Sequence, residues 1–157
     1  MPSRRSTKAA EAKRLLILNG PNLNLLGTRE PEIYGSTTLA AIEAMVREEG
    51  ARLGASIRFL QTNHEGTLID EIQRLPATAD GLILNAGAYS HTSLAIRDAL
   101  LAVKVPFVEV HLSDVAAREE ARRRLLFADL AVQVITGRGP EGYRLALQEL
   151  SRRLGEH

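Results

Sequence analysis

The chain contains no cysteine and no tryptophan. The first absence excludes disulfides, thiolate metal sites and a cysteine nucleophile, and it suits a reducing cytoplasm, the compartment expected here. Lysine is scarce, with only Lys8, Lys13 and Lys104 present. Two stand close to the amino terminus and the third precedes an apolar run, so Schiff-base chemistry has no well-placed lysine. No apolar run approaches the roughly 18 residues of a membrane span. An excess of one charge is also missing: the net charge is +1, which gives no general attraction to nucleic acid or to a membrane surface. The phosphate-binding patterns G-x-x-x-x-G-K-[ST] and G-x-G-x-x-G do not follow the first apolar run, and His91 and His111 lack a local metal-ligand spacing. Aromatic residues make up 4% of the chain, too few to suggest a stacked flavin.

What is present fits one α/β domain. A length of 157 residues, 45% of them hydrophobic and 25% charged, allows a sizeable core. Residues 1–13 read as a flexible, polar and basic tail with none of the apolar stretch of a secretory signal. Residues 14–157 read as a single catalytic domain. Five apolar runs, Leu15–Leu18, Ala55–Leu60, Gly81–Leu84, Pro106–Val110 and Ala131–Ile135, alternate with helical repeats. The repeats place Leu39, Ile42, Val46 and Leu53 on one face, then Leu68, Ile69, Ile72 and Leu75, and finally Tyr143, Leu147, Leu150 and Leu154. Nearly continuous Leu/Ile/Val runs mark parallel strands covered on both sides. The alternation predicts an open parallel sheet with helices on both faces, and its size suggests the flavodoxin-like strand order 2-1-3-4-5.

Unusual polar residues gather where the predicted strands end. The first run is followed by Asn19, Asn22, Arg29 and Tyr34, the second by Gln61, Thr62, Asn63 and His64, and the third by Asn85, Tyr89, Ser90 and His91. The fourth ends in His111, Ser113 and Asp114, and the fifth in Thr136. Ligands of open α/β sheets bind in the crevice at the strand carboxyl ends. Ser36, Thr62, Asn63 and Thr92 are explained as caps and turn formers, whereas the histidines are not. In Val108-Glu109-Val110-His111, strand alternation sends Glu109 and His111 to one side. A carboxylate there holds the imidazole in one tautomer, as a general acid requires. A helix over Val115–Leu126 is predicted next, with a free amino end for an anion and with Arg118 and Arg122 one turn apart. Arg29 near Tyr34 favours tyrosinate, an uncommon but capable base. The polar Glu30-Pro31-Glu32 between them predicts that Gly20 to Tyr34 acts as a lid.

The stretch Asn19-Gly20-Pro21-Asn22-Leu23-Asn24-Leu25-Leu26-Gly27, continued by Arg29-Glu30-Pro31 and Tyr34-Gly35, resembles the opening of the type II 3-dehydroquinate dehydratases of the shikimate pathway. The likeness continues in Asn63-His64-Glu65-Gly66, Leu84 to Ser93, Ile96 to Ala99, Val108 to Ser113, Arg118-Glu119 and Gly137 to Leu145, and it spans about residues 14–152. The resemblance implies a flavodoxin-like fold, a dodecamer built of trimers, and dehydration of 3-dehydroquinate without metal, imine or organic cofactor; aromatic amino acid biosynthesis is the family's setting, and quinate breakdown stays open because the reaction is the same. By motif match, Tyr34 corresponds to the base, Arg29 to the cation that activates it and His111 to the general acid. Asn22 corresponds to the enolate-stabilising residue and Glu109 to the partner in the catalytic hydrogen-bond network. Asn85, His91, Leu112, Ser113 and Arg122 match substrate-binding positions, and Asp98 matches one that acts from a neighbouring subunit. Two other classes remain open at this point: a flavodoxin-like module binding a flavin, nucleotide or other small ligand, and a non-catalytic homologue acting through protein contacts. The second has no use for Arg29, Tyr34 and His111 together.

Overall fold

A computed structural model describes residues 11–28, 32 and 36–156 of the chain. Five strands form one parallel sheet: β1 (Lys13–Asn19), β2 (Ala55–Gln61), β3 (Gly81–Asn85), β4 (Phe107–His111) and β5 (Gln133–Thr136). Their order is β2-β1-β3-β4-β5, the flavodoxin-like order. The helices are α1 (Leu39–Arg52), α2 (Glu65–Thr78), α3 (Leu94–Val103), the single turn α4 (Glu120–Arg123) and α5 (Glu141–Gly155). β1 begins at Lys13, inside the span read as tail, and residues 1–10 lie outside the described part.

The alternation of strand side chains divides the core in two. Leu15 and Ile17 of β1, Ile83 of β3 and Val108 and Val110 of β4 face α1 and α5, where Ile42, Val46, Tyr143, Leu147 and Leu150 meet them. Leu16, Leu18, Leu82 and Leu84 face α2 and α3, against Leu68, Ile72, Leu75, Ile96 and Leu100. Every residue of β3 and β4 is buried, as expected of strands covered on both faces. Each fully buried Leu or Ile is worth about 1.5–3 kcal/mol.

Helix starts follow local chemistry, though not always at the predicted residue. Thr38, not Ser36, caps α1 by accepting from the Ala41 N–H at 3.1 Å. Ser93, not Thr92, caps α3 by accepting from Ile96 N–H at 3.0 Å. Asn63 caps nothing; its Oδ1 accepts from the Asn22 backbone N–H at 3.0 Å and ties two loops together.

The expected helix Val115–Leu126 does not form. A 3-10 turn at Val115–Ala117 is followed by extended backbone at Arg118 and Glu119, and then by α4 alone. Tertiary partners take over the backbone: the Leu126 N–H donates to Ser90 C=O, and the Arg97 guanidinium donates to Leu126 C=O and pairs with Asp129. This path delivers Phe127, fully buried, into the α2/α3 core. The predicted free amino end is also occupied, because Asp114 Oδ1 accepts from Ala116 N–H.

At the β1–β3 junction the Gly20 N–H donates to Asn85 C=O at 2.7 Å. A Cβ on Gly20 would stand 2.4 Å from the Ala86 carbonyl oxygen, a backbone atom with no room to yield. Gly20→Ala is therefore expected to cost about 1–3 kcal/mol by overpacking, measured as a lower urea midpoint at unchanged slope. A wild-type midpoint would show that the strands separate freely there.

Candidate active site

The strand order reverses between β1 and β3, and such a switch point opens a crevice beyond the carboxyl ends of the strands. The cavity at that place is lined by Pro21, Asn22 and leucines of the β1 loop, by Asn85, Gly87, Ala88 and His91 after β3, and by His111 to Ser113, Val115, Arg118 and Arg122 after β4. The structure thus brings together Asn22, Asn85, His91, His111, Leu112, Ser113 and Arg122 of the residues singled out by sequence. Glu109 lies behind this wall. Asp98 is exposed on α3 and does not line the cavity. Arg29 and Tyr34 lie outside the described residues.

Glu109 and His111 share one side of β4, as alternation requires. The Glu109 carboxylate is completely buried, and its Oε2 meets His111 Nε2 at 2.5 Å. A charge so deeply desolvated is held only by a partner that repays its lost water. The contact engages His111 through Nε2 and leaves Nδ1 as the nitrogen available to a bound molecule. His91 faces His111, with ring centroids 6.1 Å apart.

His91 is held differently. Its Nδ1 lies 3.0 Å from the Arg124 carbonyl, which can only accept, so Nδ1 carries the proton and Nε2 is an acceptor. Burial, above all, lowers the His91 pKa from its ordinary value; the Arg124 carbonyl opposes this, and the charges of His111 and Arg122 add to the lowering.

Asn22 adopts the left-handed conformation, φ 67°, which asparagine tolerates better than most residues. Its backbone N–H is spent on Asn63, and its side chain makes no capping bond to the turn Leu23–Leu25 that it begins. Gln61 Nε2 donates to Gly20 C=O and to Asn63 Oδ1, and Tyr89 OH donates to Asn63 C=O. Gln61 and Asn63 at the end of β2 therefore brace the β1 loop and do not line the cavity. Leu23 and Leu26 anchor that loop in the core. Around these anchors Asn22, Asn24, Leu25 and Thr28 are exposed, and the remainder of the expected lid, except Glu32, falls outside the described residues.

The Leu112 and Ser113 carbonyls accept from the Gly139 and Gly137 N–H groups, both at 3.0 Å. A trans peptide sends the Ser113 N–H opposite to the Leu112 C=O, away from that glycine turn. Ser113 Oγ accepts from Arg118 Nη1 at 3.2 Å, and Arg122 Nε donates to Glu119. Arg118 lines the cavity although only Arg122 was singled out as ligand-reaching; its i, i+4 spacing to Arg122 was the available signal. Of the lysines, Lys13 opens β1 and Lys104 ends α3 before β4, both at the amino side of the sheet, opposite the cavity. No group of three or more His, Cys, Asp or Glu able to hold a metal occurs among the described residues. No helix there is long and apolar enough to cross a membrane.

The sequence model described as dehydroquinase class II matches residues 13–151. The chain belongs to the class II dehydroquinases, the hydro-lyases that dehydrate 3-dehydroquinate. It is similar to catabolic 3-dehydroquinase 1 of Aspergillus terreus, 52% identical over 88% of this chain and 91% of that one. The catabolic 3-dehydroquinase of Verticillium alfalfae is likewise 52% identical, over 91% and 95%. These names place the relatives in catabolism, whereas the setting attached to the family resemblance is aromatic biosynthesis. Among solved structures, the type II dehydroquinase of Butyrivibrio crossotus is 40% identical with a TM-score of 0.87, covering 88% of this chain and 97% of its own. The Propionibacterium acnes type II dehydroquinase is 39% identical with a TM-score of 0.85, covering 92% and 99%. A dehydroquinase fold thus surrounds the cavity just described.

The lowered pKa of His91 has a sign that can be tested. As pH falls, the unfolded chain takes up this proton first, near 6.5, so stability declines from about pH 7 and goes on declining until the folded ring titrates. His91→Asn is expected to flatten the unfolding-midpoint profile between about pH 7 and 5. Equal slopes in variant and wild type would show that His91 is not held neutral by the fold.

Proposed function

We propose that this chain converts 3-dehydroquinate to 3-dehydroshikimate and water by anti elimination through an enolate. The Glu109–His111 pair carries this reading. It offers a buried carboxylate, an imidazole fixed in one orientation and a crevice at the sheet's switch point, which is what delivery of a proton to a departing hydroxyl requires. Tyr34 takes the proton beside the ketone and Arg29 activates it. Free tyrosine titrates near about 10, and a close guanidinium brings tyrosinate toward neutral pH. Asn22 stabilises the enolate oxygen through a hydrogen bond. His111 then protonates the leaving hydroxyl, so that one water departs for each proton taken and given. The substrate carboxylate sits at the Leu112 and Ser113 amides with Arg122, and Asn85 and His91 bind its hydroxyls. No cofactor takes part. The roles of Tyr34 and Arg29 rest on motif match.

The proposed unit is a single catalytic domain over residues 14–157, in the cytoplasm, assembled as a dodecamer of four trimers. In support, Leu94 and Leu101, 63% and 46% exposed, flank Asp98 on one face of α3 at i, i+4 and i+7. An apolar face of that kind fits a second copy of the chain, with Asp98 presented to its neighbour's cavity.

Adding 3-dehydroquinate is expected to raise the ultraviolet absorbance of the conjugated enone product. His111→Ala should remove nearly all turnover while substrate still binds, and borohydride with substrate should leave the intact mass unchanged. Retention of more than about a tenth of the rate, a loss under ~1.4 kcal/mol, would remove His111 from the acid role. A covalent adduct would overturn the imine-free route.

Arg29→Ala is expected to lower kcat far more than it weakens binding, and to move the basic-residue limb of the kcat profile to higher pH. Tyr34→Phe should abolish turnover with the fold intact. An unshifted limb with near-normal kcat in Arg29→Ala would mean that something else tunes the base.

A further inference from the structure

Behind the cavity, three residues from three elements form a buried polar chain. Asn19 ends β1, Asn85 ends β3, and the two are paired in register, so their side chains leave the same face of the sheet. Over that face sits Tyr143, in the first turn of α5 and fully buried. The Tyr143 hydroxyl donates to Asn19 Oδ1 at 2.6 Å, and Asn85 Nδ2 donates to the Tyr143 oxygen at 3.0 Å. The chain is anchored to backbone at both ends: Asn19 Nδ2 donates to Leu60 C=O at 3.0 Å, and Gly87 N–H donates to Asn85 Oδ1 at 3.2 Å.

Those anchors fix the direction of every bond between them. A carbonyl only accepts and a peptide N–H only donates. The Leu60 carbonyl requires Asn19 Nδ2, which turns Asn19 Oδ1 toward Tyr143. Burial raises the Tyr143 pKa well above its ordinary value, so the phenol keeps its single proton, and that proton goes to Asn19. The phenol oxygen therefore meets Asn85 as an acceptor and demands its Nδ2. From the other side, Gly87 N–H demands Asn85 Oδ1. Flipping the Asn85 amide would set its NH2 against the Gly87 N–H and its oxygen against an oxygen whose proton is already committed.

We propose that Tyr143 is a positioning residue for substrate: its hydroxyl, oriented by Asn19, locks the Asn85 amide so that one N–H and one oxygen lone pair are offered to the cavity in fixed places. A polyhydroxylated ligand meets there one donor and one acceptor of invariant order. The inference rests on the reading of this cavity as the 3-dehydroquinate site. Tyr143 touches neither substrate nor reacting atoms; it acts through Asn85. Its helical spacing with Leu147 and Leu150 accounts for its burial, but not for the two asparagines that meet its oxygen.

A double-mutant cycle tests this. Tyr143→Phe keeps the ring and removes only the hydroxyl, and it is expected to lower kcat/KM for 3-dehydroquinate about tenfold, chiefly through KM. Combined with Asn85→Ala, it should add almost nothing to the loss caused by Asn85→Ala alone, because the residue it positions is gone. A merely structural role would lower the unfolding midpoint and the active fraction equally with or without Asn85, making the effects additive and leaving KM unchanged. Additivity, or an unchanged kcat/KM in folded Tyr143→Phe, overturns the proposal. If Tyr143→Phe does not fold, Asn19→Ala breaks the same chain from its far end and enters the same cycle, where additivity again overturns it. Failure of the wild type to dehydrate 3-dehydroquinate, or an Asn85→Ala variant with normal kcat/KM, would overturn the reading of the cavity itself. A deficient Asn85→Ala beside an unaffected Tyr143→Phe would overturn only the role of Tyr143.

Discussion

The close approach of β1 and β3 is the constraint from which the cavity follows. Gly20 leaves β1 with its N–H on the Asn85 carbonyl, at a place where even one methyl group has no room. Two strands clamped so tightly must send their continuations apart, one toward Leu23 and Leu26 in the α1/α5 core, the other toward the 3-10 turn Gly87–His91. The crevice between them is the switch point, and a single tight junction determines where Asn22, Asn85 and His91 stand relative to each other. The start of the loop after β1 is tied to the end of β2, where Asn63 Oδ1 accepts from the Asn22 N–H and Gln61 Nε2 donates to the Gly20 carbonyl.

Against that rigid frame the buried carboxylate of Glu109 stands out. Removing such a group from water costs several kcal/mol even after relaxation. His111 answers one of its oxygens, and Oε1 has no hydrogen-bond partner among the described residues. A hydrophobic residue at 109 would pack the α2/α3 side of the sheet more favourably, so the sequence sacrifices stability here, as active sites do. What that sacrifice achieves is an imidazole whose orientation is fixed before any ligand arrives. Asn85 comes from the α1/α5 side of the sheet, locked by the Tyr143 hydroxyl, while Glu109 and His111 come from the other. The cavity wall is preorganised from both layers of the fold.

The strands were legible because a buried parallel strand must be continuously apolar, and the Leu15–Leu18 and Gly81–Leu84 runs have no other explanation. The histidines at strand ends were legible for the opposite reason, since nothing in capping or turn chemistry accounts for them. Two features were not. The segment from Val115 to Leu126 has helical composition with neither glycine nor proline to break it, and what breaks it is remote: Ser90, Arg97 and the burial of Phe127. Tyr143 read as one more apolar position because periodicity reports burial and says nothing of which atom a hydroxyl meets. Only the register of Asn19 with Asn85 shows that two amides converge on it.

The two proton transfers of the proposed mechanism make unequal demands on such a fold. An acid that delivers a proton to a leaving hydroxyl depends on position, and small displacements weaken a hydrogen bond steeply. His111, the proposed acid, ends a strand whose every residue is buried and is paired with Glu109 two residues back. The other half of the elimination depends on strength of base, and a tyrosine gains that strength only from a cation close by. A strand interior is a poor place for that pair, because burying a guanidinium beside a phenolate carries two desolvation costs at once. The proposed acid, His111, thus lies in the part of the fold best able to hold a side chain in place, at the end of a strand buried on both faces.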